Sequence, residues 1–373
     1  MEAPQQNGAA GAAAFEEAEA VDLLSMMNPD TLHGVASYFS PMTILRLEAT
    51  CRTLRDALRS DWIWQERLLA QFGADRAAAI EVLGALAGEA PSNLDLFRAA
   101  WRLSAVLDRL VLVQGPVDIS RPPPIRDGMM ADAIMVTCHP GLVSSGLPGA
   151  HSAVNARAGP QLDRYIEEHI PQAATEQGIK FGDVAVTPGF MLPVGKVFHA
   201  IGPMPGYTGV VADDAAQSMY ATAAPPAQDA AADEGGDAKE RAARREAERE
   251  LRAKLMLTQR TYRSVYAALD EQGLRTIQMA SIGTGLAGVP PAAGARIGMQ
   301  CLVDWVLAHV QEEGFAWAEG RAVSFACYEE RVLDACSEVR AELLRACLKP
   351  LWSSARLEAA VAEGASEERC VVM

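Results

Sequence analysis

From residue 21 to about 105 the apolar positions recur with a helical period. Asn28-Pro29 and Ser40-Pro41 each place an N-cap residue before a proline suited to the first helical position. Leu32, Val35, Ala36 and Phe39 follow the first pair at i, i+3, i+4 and i+7, the stripe of an amphipathic helix. Ile44, Leu47, Cys51, Leu54 and Leu58 follow the second on one face. Trp62 and Trp64 add large anchors, and Leu94, Phe97 and Trp101 open a further amphipathic segment. At Leu110 the period shortens. Residues 110–114 (LVLVQ), 132–137 (DAIMVT), 184–187, 197–201, 276–281 and 323–328 read as short strands. Helical patterns over 161–169, 259–272 and 292–310 lie between them. Strands interleaved with helices predict α/β layers around a mostly covered sheet.

A chain of 373 residues with 50% apolar positions has material for roughly two domains. The patterns divide it into a disordered N-terminus (1–20), a helical domain (21–105), an α/β domain (108–205 and 256–345), a charged insertion (206–255) and a C-terminal tail (346–373), helical to about 362. Within the insertion, residues 211–238 hold six acids and no Lys or Arg, a composition that predicts disorder. Glu240/Arg244, Glu248/Arg252 and Glu250/Lys254 then sit at i, i+4, which predicts a solvated helix. The net charge of −15 argues against direct nucleic-acid binding, which needs basic surface to displace counterions. No apolar run is long enough to span a membrane. The N-terminus has neither a basic n-region nor the arginines of a transit peptide. Seven scattered cysteines form no CxxC pair, which suits a reducing compartment, cytoplasmic or nuclear.

Residues 28–64 read NPDTLHGVASYFSPMTILRLEATCRTLRDALRSDWIW and resemble the F-box. Pro29, Leu32, Val35, Phe39, Pro41, Ile44, Leu45, Leu47, Cys51, Arg52, Leu54, Arg55, Leu58 and Trp64 match its pattern, while its opening Leu is Asn28 here. The resemblance implies docking onto the Skp-type adaptor of a cullin-RING ubiquitin ligase, with a second domain selecting what is degraded. Pro29, Leu32, Val35, Pro41, Ile44, Leu45, Leu47, Cys51 and Trp64 are the adaptor-binding residues it implies. A bundle of roughly 40 residues buries its own stripes poorly and is usually stabilised by a partner.

The α/β part resembles the macro domain. DAIMVTCH (132–139), GAHSAVNARAGP (149–160), GDVAVTPGFMLP (182–193), KVFHAIGP (196–203), Tyr262-Arg263-Ser264, SIGTGLAGVP (281–290) and FACYE (325–329) follow the family's motifs in order. This implies a three-layer α/β/α fold with a mixed sheet that binds ADP-ribose or ADP-ribosylated protein; some members hydrolyse ADP-ribosyl bonds. Gly283, Gly285 and Gly288 follow a strand and precede a helix near Pro291. Glycines there let backbone N–H groups close on a diphosphate. A dinucleotide fingerprint of the same spacing would come earlier in the chain and carry an acid on the next strand. The implied ligand set is Asp118, Ile119, Gly283, Thr284, Gly285, Leu286, Gly288 and Tyr328. Asp118 reads either as the acceptor for the adenine amino group or as a helix N-cap, and Tyr328 either as a cover for the adenine or as core.

The family's two ribose-binding asparagines and its aspartate are Val136, His139 and His151 here, and its stacking aromatic is Ala287. The domain is therefore expected to be catalytically inactive. Were it active, His139 or His151 would be the base, since histidine titrates near neutrality. No GxSxG elbow, HExxH helix or zinc spacing appears, so no metal or cofactor is expected. The terminal Cys370-Val371-Val372-Met373 fits a farnesylation signature, one lipid giving weak, reversible membrane attachment. The expected function is an F-box substrate receptor with an ADP-ribose-binding macro domain. The alternatives are an ADP-ribosyl hydrolase carrying a docking module and a macro-fold scaffold without nucleotide binding.

Overall fold

The computed structural model describes residues 39–48, 55, 58–126, 128–142, 149–174, 179–204 and 238–371. The chain divides into two compact units, Met1–Arg102 and Leu103–Met373.

The described part of the first unit is helical: α1 (Pro41–Glu48), α2 (Asp61–Phe72), α3 (Arg76–Ala87) and α4 (Asn93–Leu110), within which the division falls. Ser40 caps α1 as its pairing with Pro41 suggests, its Oγ accepting from the Thr43 N–H at 3.2 Å. Asp75 does the same for α3, accepting from the Ala78 N–H at 2.9 Å. Gly73, in the left-handed region, ends α2 and donates to the Leu69 carbonyl. Trp64, Phe72 and Phe97 form the core, with ring centroids 4.9 and 5.6 Å from Phe97. The Trp64 indole N–H is satisfied by the Leu58 carbonyl at 2.7 Å. Among the implied adaptor contacts, Ile44 and Trp64 are wholly buried in the chain itself. Large apolar groups buried this deeply act as core, and those two are not free to meet a partner. Leu47 is half-buried. Pro29, Leu32, Val35 and Cys51, and the side chains of Pro41 and Leu45, lie outside the described residues.

In the second unit the described strands are β1 (Val111–Gln114), β2 (Ala133–Thr137), β3 (Val184–Pro188), β4 (Lys196–Ala200), β5 (Thr276–Ala280) and β6 (Ala322–Ala326). They form a sheet of order β1-β6-β5-β2-β4-β3, parallel throughout except for the antiparallel pair β3-β4. Helices α5 (Ala150–Ala158) and α6 (Pro160–His169) cover one face, packing Val154, Ala158, Leu162 and Ile166 onto Ile134, Val136 and Val197. The other face carries α7 (Ala238–Glu271), α8 (Pro291–Glu313) and α9 (Glu330–Arg345), with Tyr262 of α7 over Phe325 of β6. Two covered faces explain why the central strands read as apolar runs rather than alternating ones. The register of β2 on β5 is held by Asp132, whose carboxylate accepts from the Arg275 and Thr276 N–H groups.

Two expectations are corrected. The solvated helix and the following amphipathic helix are one 34-residue element, α7, because no Gly or Pro interrupts residues 238–271. It passes from an exposed start into the core, where Leu251 and Leu255 are already buried. Arg252 pairs with Glu358 rather than Glu248, which instead takes Arg244. At the other end, α10 (Ser354–Val371) runs past 362 and packs on α7. The Cys370 side chain lies outside the described residues. Among the described residues no helix is long and apolar enough to cross a membrane.

Candidate ligand cleft

Because β1, β6, β5, β2 and β4 run parallel, the loops that follow them gather at one edge of the sheet. That edge, outside the carboxyl ends of the strands, is where open α/β sheets bind ligands. It brings together the Asp118 turn after β1, Tyr328 after β6, the 281–290 loop after β5 and His139 after β2.

The 281–290 loop is the most constructed of these. Gly283 and Gly288 have φ of 75° and 74°, values that only glycine adopts without strain. The Gly283 carbonyl accepts from Val289 N–H at 2.9 Å, and that of Gly285 from Gly288 N–H at 3.0 Å. Between these bonds the N–H groups of Thr284, Gly285, Leu286 and Ala287 have no partner among the described residues. A Cβ on Gly285 would meet nothing within 4 Å, whereas one on Gly294 of α8 would strike the Thr284 methyl at 2.9 Å. The first turn of α8 is thus pressed against the loop, adding the positive end of a 23-residue helix. Thr284 and Ala287 are buried, Gly288 is exposed, and Leu286 is 70% exposed. Arg331 of α9 donates to the Thr284 carbonyl at 3.4 Å and pairs with Glu329, tying this loop to the one carrying Tyr328.

The Asp118 carboxylate accepts from the Ser120 N–H at 3.0 Å and the Ser120 hydroxyl at 2.7 Å. No helix follows, so Asp118 shapes a turn, and the helix N-cap reading is set aside. The group is exposed at the edge. Ile119 turns its side chain into the core and offers the edge only main chain. Tyr328 is 74% exposed, which removes the core reading.

The positions departing from the family motif are equally defined. Val136 is wholly buried in the apolar cluster under α5. His139 is exposed and folds back, its Nδ1 accepting from the Gly141 N–H at 3.1 Å. His151 is buried, and burial, with the nearby His139 charge, pushes its imidazole down to about 4. Its Nε2 has no partner. The structure also brings Cys138 and His199 to His151, a grouping that no local spacing in the sequence signals.

Residues 145–230 match the family model of the Macro domain. A macro domain-containing protein of Ralstonia nicotianae is 24% identical over 172 residues, covering 46% of this chain and 71% of that relative. Among solved structures, the Oceanobacillus iheyensis macrodomain with ADP aligns at a TM-score of 0.40 and 19% identity, over 61% of this chain and 88% of that one. The Trypanosoma brucei macrodomain in complex with ADP aligns at 0.38 and 20%, over 63% and 70%. The α/β unit has the three layers and the mixed sheet that the resemblance to the macro domain implies.

Proposed function

We propose that this chain recognises ADP-ribose, free or attached to protein, and brings what it recognises to a cullin-RING ubiquitin ligase through a Skp-type adaptor. The observation that carries the first half is the run of four unpaired N–H groups from Thr284 to Ala287 at the N-terminus of α8. Consecutive free N–H groups make an anion-binding concavity, and a diphosphate matches its charge and span. Exposed Asp118 and Tyr328 lie on the same edge and supply an acceptor and a ring face for adenine. Hydrolysis is not part of the proposal. His139 Nδ1 is engaged by its own loop, and the free nitrogen of His151 is buried.

The adaptor half is supported by the ordered F-box pattern and by one face of α2. Trp62 and Leu69 stand seven residues apart there, 37% and 58% exposed, while Ile63, Trp64, Leu68 and Phe72 fill the opposite side. Exposed large apolar groups on one helix face mark an interaction surface.

Calorimetric titration of the full chain with ADP-ribose tests the ligand half, with binding expected and no release of ADP-ribose from a modified protein. Absence of binding at millimolar ligand would leave a scaffold, and turnover would make the domain a hydrolase. Co-purification with a Skp-type adaptor tests the other half.

A further inference from the structure

Three side chains distant in sequence meet on the face of the sheet covered by α5. Cys138 follows β2, His151 lies in the first turn of α5, and His199 belongs to β4. β2 and β4 pair with Val136 opposite His199, and the pleat turns Val136, Cys138 and His199 to the same side. The potential ligand atoms of Cys138, His151 and His199 all lie within 4.8 Å of one another, and all three residues are buried.

Hydrogen bonding decides which atoms are available. The Thr187 hydroxyl donates its one hydrogen to the Pro188 carbonyl at 3.2 Å. With that bond in place, its 3.0 Å contact with His199 Nε2 is made by the imidazole N–H as donor, the tautomer that satisfies both contacts. His199 Nδ1 is buried and without a partner, and in that tautomer it carries a lone pair. His151 Nε2 is likewise buried and without a partner. Asn155, one helical turn further along the same face of α5, has both amide atoms buried and unpaired. The Cys138 thiol reaches only the Ala200 carbonyl, at 3.8 Å. Protein interiors satisfy nearly all such groups, so a concentration of them beside Val136, Val154 and Ile201 calls for an occupant.

We infer that Cys138 Sγ, His151 Nε2 and His199 Nδ1 bind one divalent transition-metal ion, zinc by the chemistry of the donors. Two imidazoles and a thiolate are a borderline-soft set that suits tetrahedral zinc. Ligand atoms around such an ion stand about 3.3–3.6 Å apart, so small rotations close the cluster. The neutral imidazole and the thiolate are the forms that ligate. Binding breaks the Cys138 S–H bond, forms a metal–sulfur bond and releases one proton to solvent, with no change of oxidation state. A water completes the fourth position. Thr187 fixes the His199 ring, as outer-shell partners of metal-bound histidines do. The site joins the ends of β2 and β4 to α5, and it does not depend on ADP-ribose binding.

The test uses the full chain, stripped with a chelator and reloaded with one equivalent of zinc or cobalt. Elemental analysis should find one zinc per chain after gel filtration. The cobalt form should show a sulfur-to-metal charge-transfer band and tetrahedral visible bands. Cys138→Ser should lose the charge-transfer band, His199→Gln should lose retained metal, and Thr187→Val should weaken affinity about 10–100-fold. A wild-type chain that retains no zinc, or whose cobalt spectrum lacks the thiolate band, overturns the inference without recourse to any variant. Equal metal retention by folded Cys138→Ser and His199→Gln would assign the metal to an adventitious site and overturn it too.

Discussion

Two glycines in one loop, Gly283 and Gly285, serve different ends. Gly283 needs its positive φ, and a Cβ there would also come within 2.8 Å of Pro203 Cγ and Val289 Cγ2. Gly285 has neither constraint; its missing side chain leaves open the space in front of the free N–H groups. Gly283→Ala is therefore expected to cost about 1–3 kcal/mol in urea unfolding, from strain and overpacking. Gly285→Glu should leave stability within about 0.5 kcal/mol of wild type and abolish ADP-ribose binding in calorimetry. Asp118 allows a similar separation. Asp118→Asn keeps an oxygen for the Ser120 turn while removing the charge. It should weaken ADP-ribose by about tenfold, roughly 1.4 kcal/mol, and leave inorganic pyrophosphate unchanged. Equal loss of both ligands would place Asp118 outside adenine recognition.

At the scale of elements, α2 carries apolar residues on both a buried and an exposed face. Trp64 packs against Phe97 inside the unit, whereas Trp62 and Leu69 face outward. Trp64→Ala should cost about 3–5 kcal/mol, the usual result of emptying an aromatic site in a core. Leu69→Asp should keep the circular-dichroism spectrum and melting temperature but weaken adaptor co-purification strongly. Retained co-purification would sink that surface assignment. Helices α8, α9 and α10 are linked by Glu342, which meets Arg296 at 3.4 Å and Arg356 at 2.7 Å. Burial pushes the Glu342 carboxyl up, but the Arg356 hydrogen bond and charge and the Arg296 charge outweigh it and hold the group below its ordinary value. A lowered folded value stabilises above the ordinary carboxylate range, and the gain disappears as pH falls through the folded value. Glu342→Gln should thus cost about 0.5–1 kcal/mol at pH 7 after solvent screening, and nothing in strong acid. Urea midpoints at the two pH values measure the difference.

For the whole molecule the acidic balance sets the sign of long-range effects. With 33 basic and 48 acidic side chains, an anionic ligand approaches against the net field. Backbone N–H groups and a helix N-terminus can still hold a diphosphate, because their partial charges are fixed and close. Salt screens the distant repulsion more than these short contacts. ADP-ribose affinity is therefore expected to stay constant or rise slightly between low and physiological salt, as titrations across that range would record. A steep fall would point to phosphate held by surface lysines and arginines, the behaviour of counterion-releasing sites.

The local signals and the non-local ones separate cleanly in this chain. Strand and helix periods are properties of neighbouring residues, so the six strand segments and the glycine loop before Pro291 were legible in sequence. The Ser40-Pro41 start was legible for the same reason, since a cap acts within one turn. Tertiary structure decided what depends on partners. It turned Tyr328 outward, made Asp118 the anchor of a turn, and buried Trp64 while exposing Trp62. It also joined two expected helices into α7, whose solvated start is continuous with a buried end. The Cys138, His151 and His199 cluster is the extreme case. Its members are 13 and 48 residues apart along the chain, and only the register of β2 on β4 beneath α5 brings them within 4.8 Å. Pairing register is a long-range choice between strands, and no periodicity within one strand encodes it.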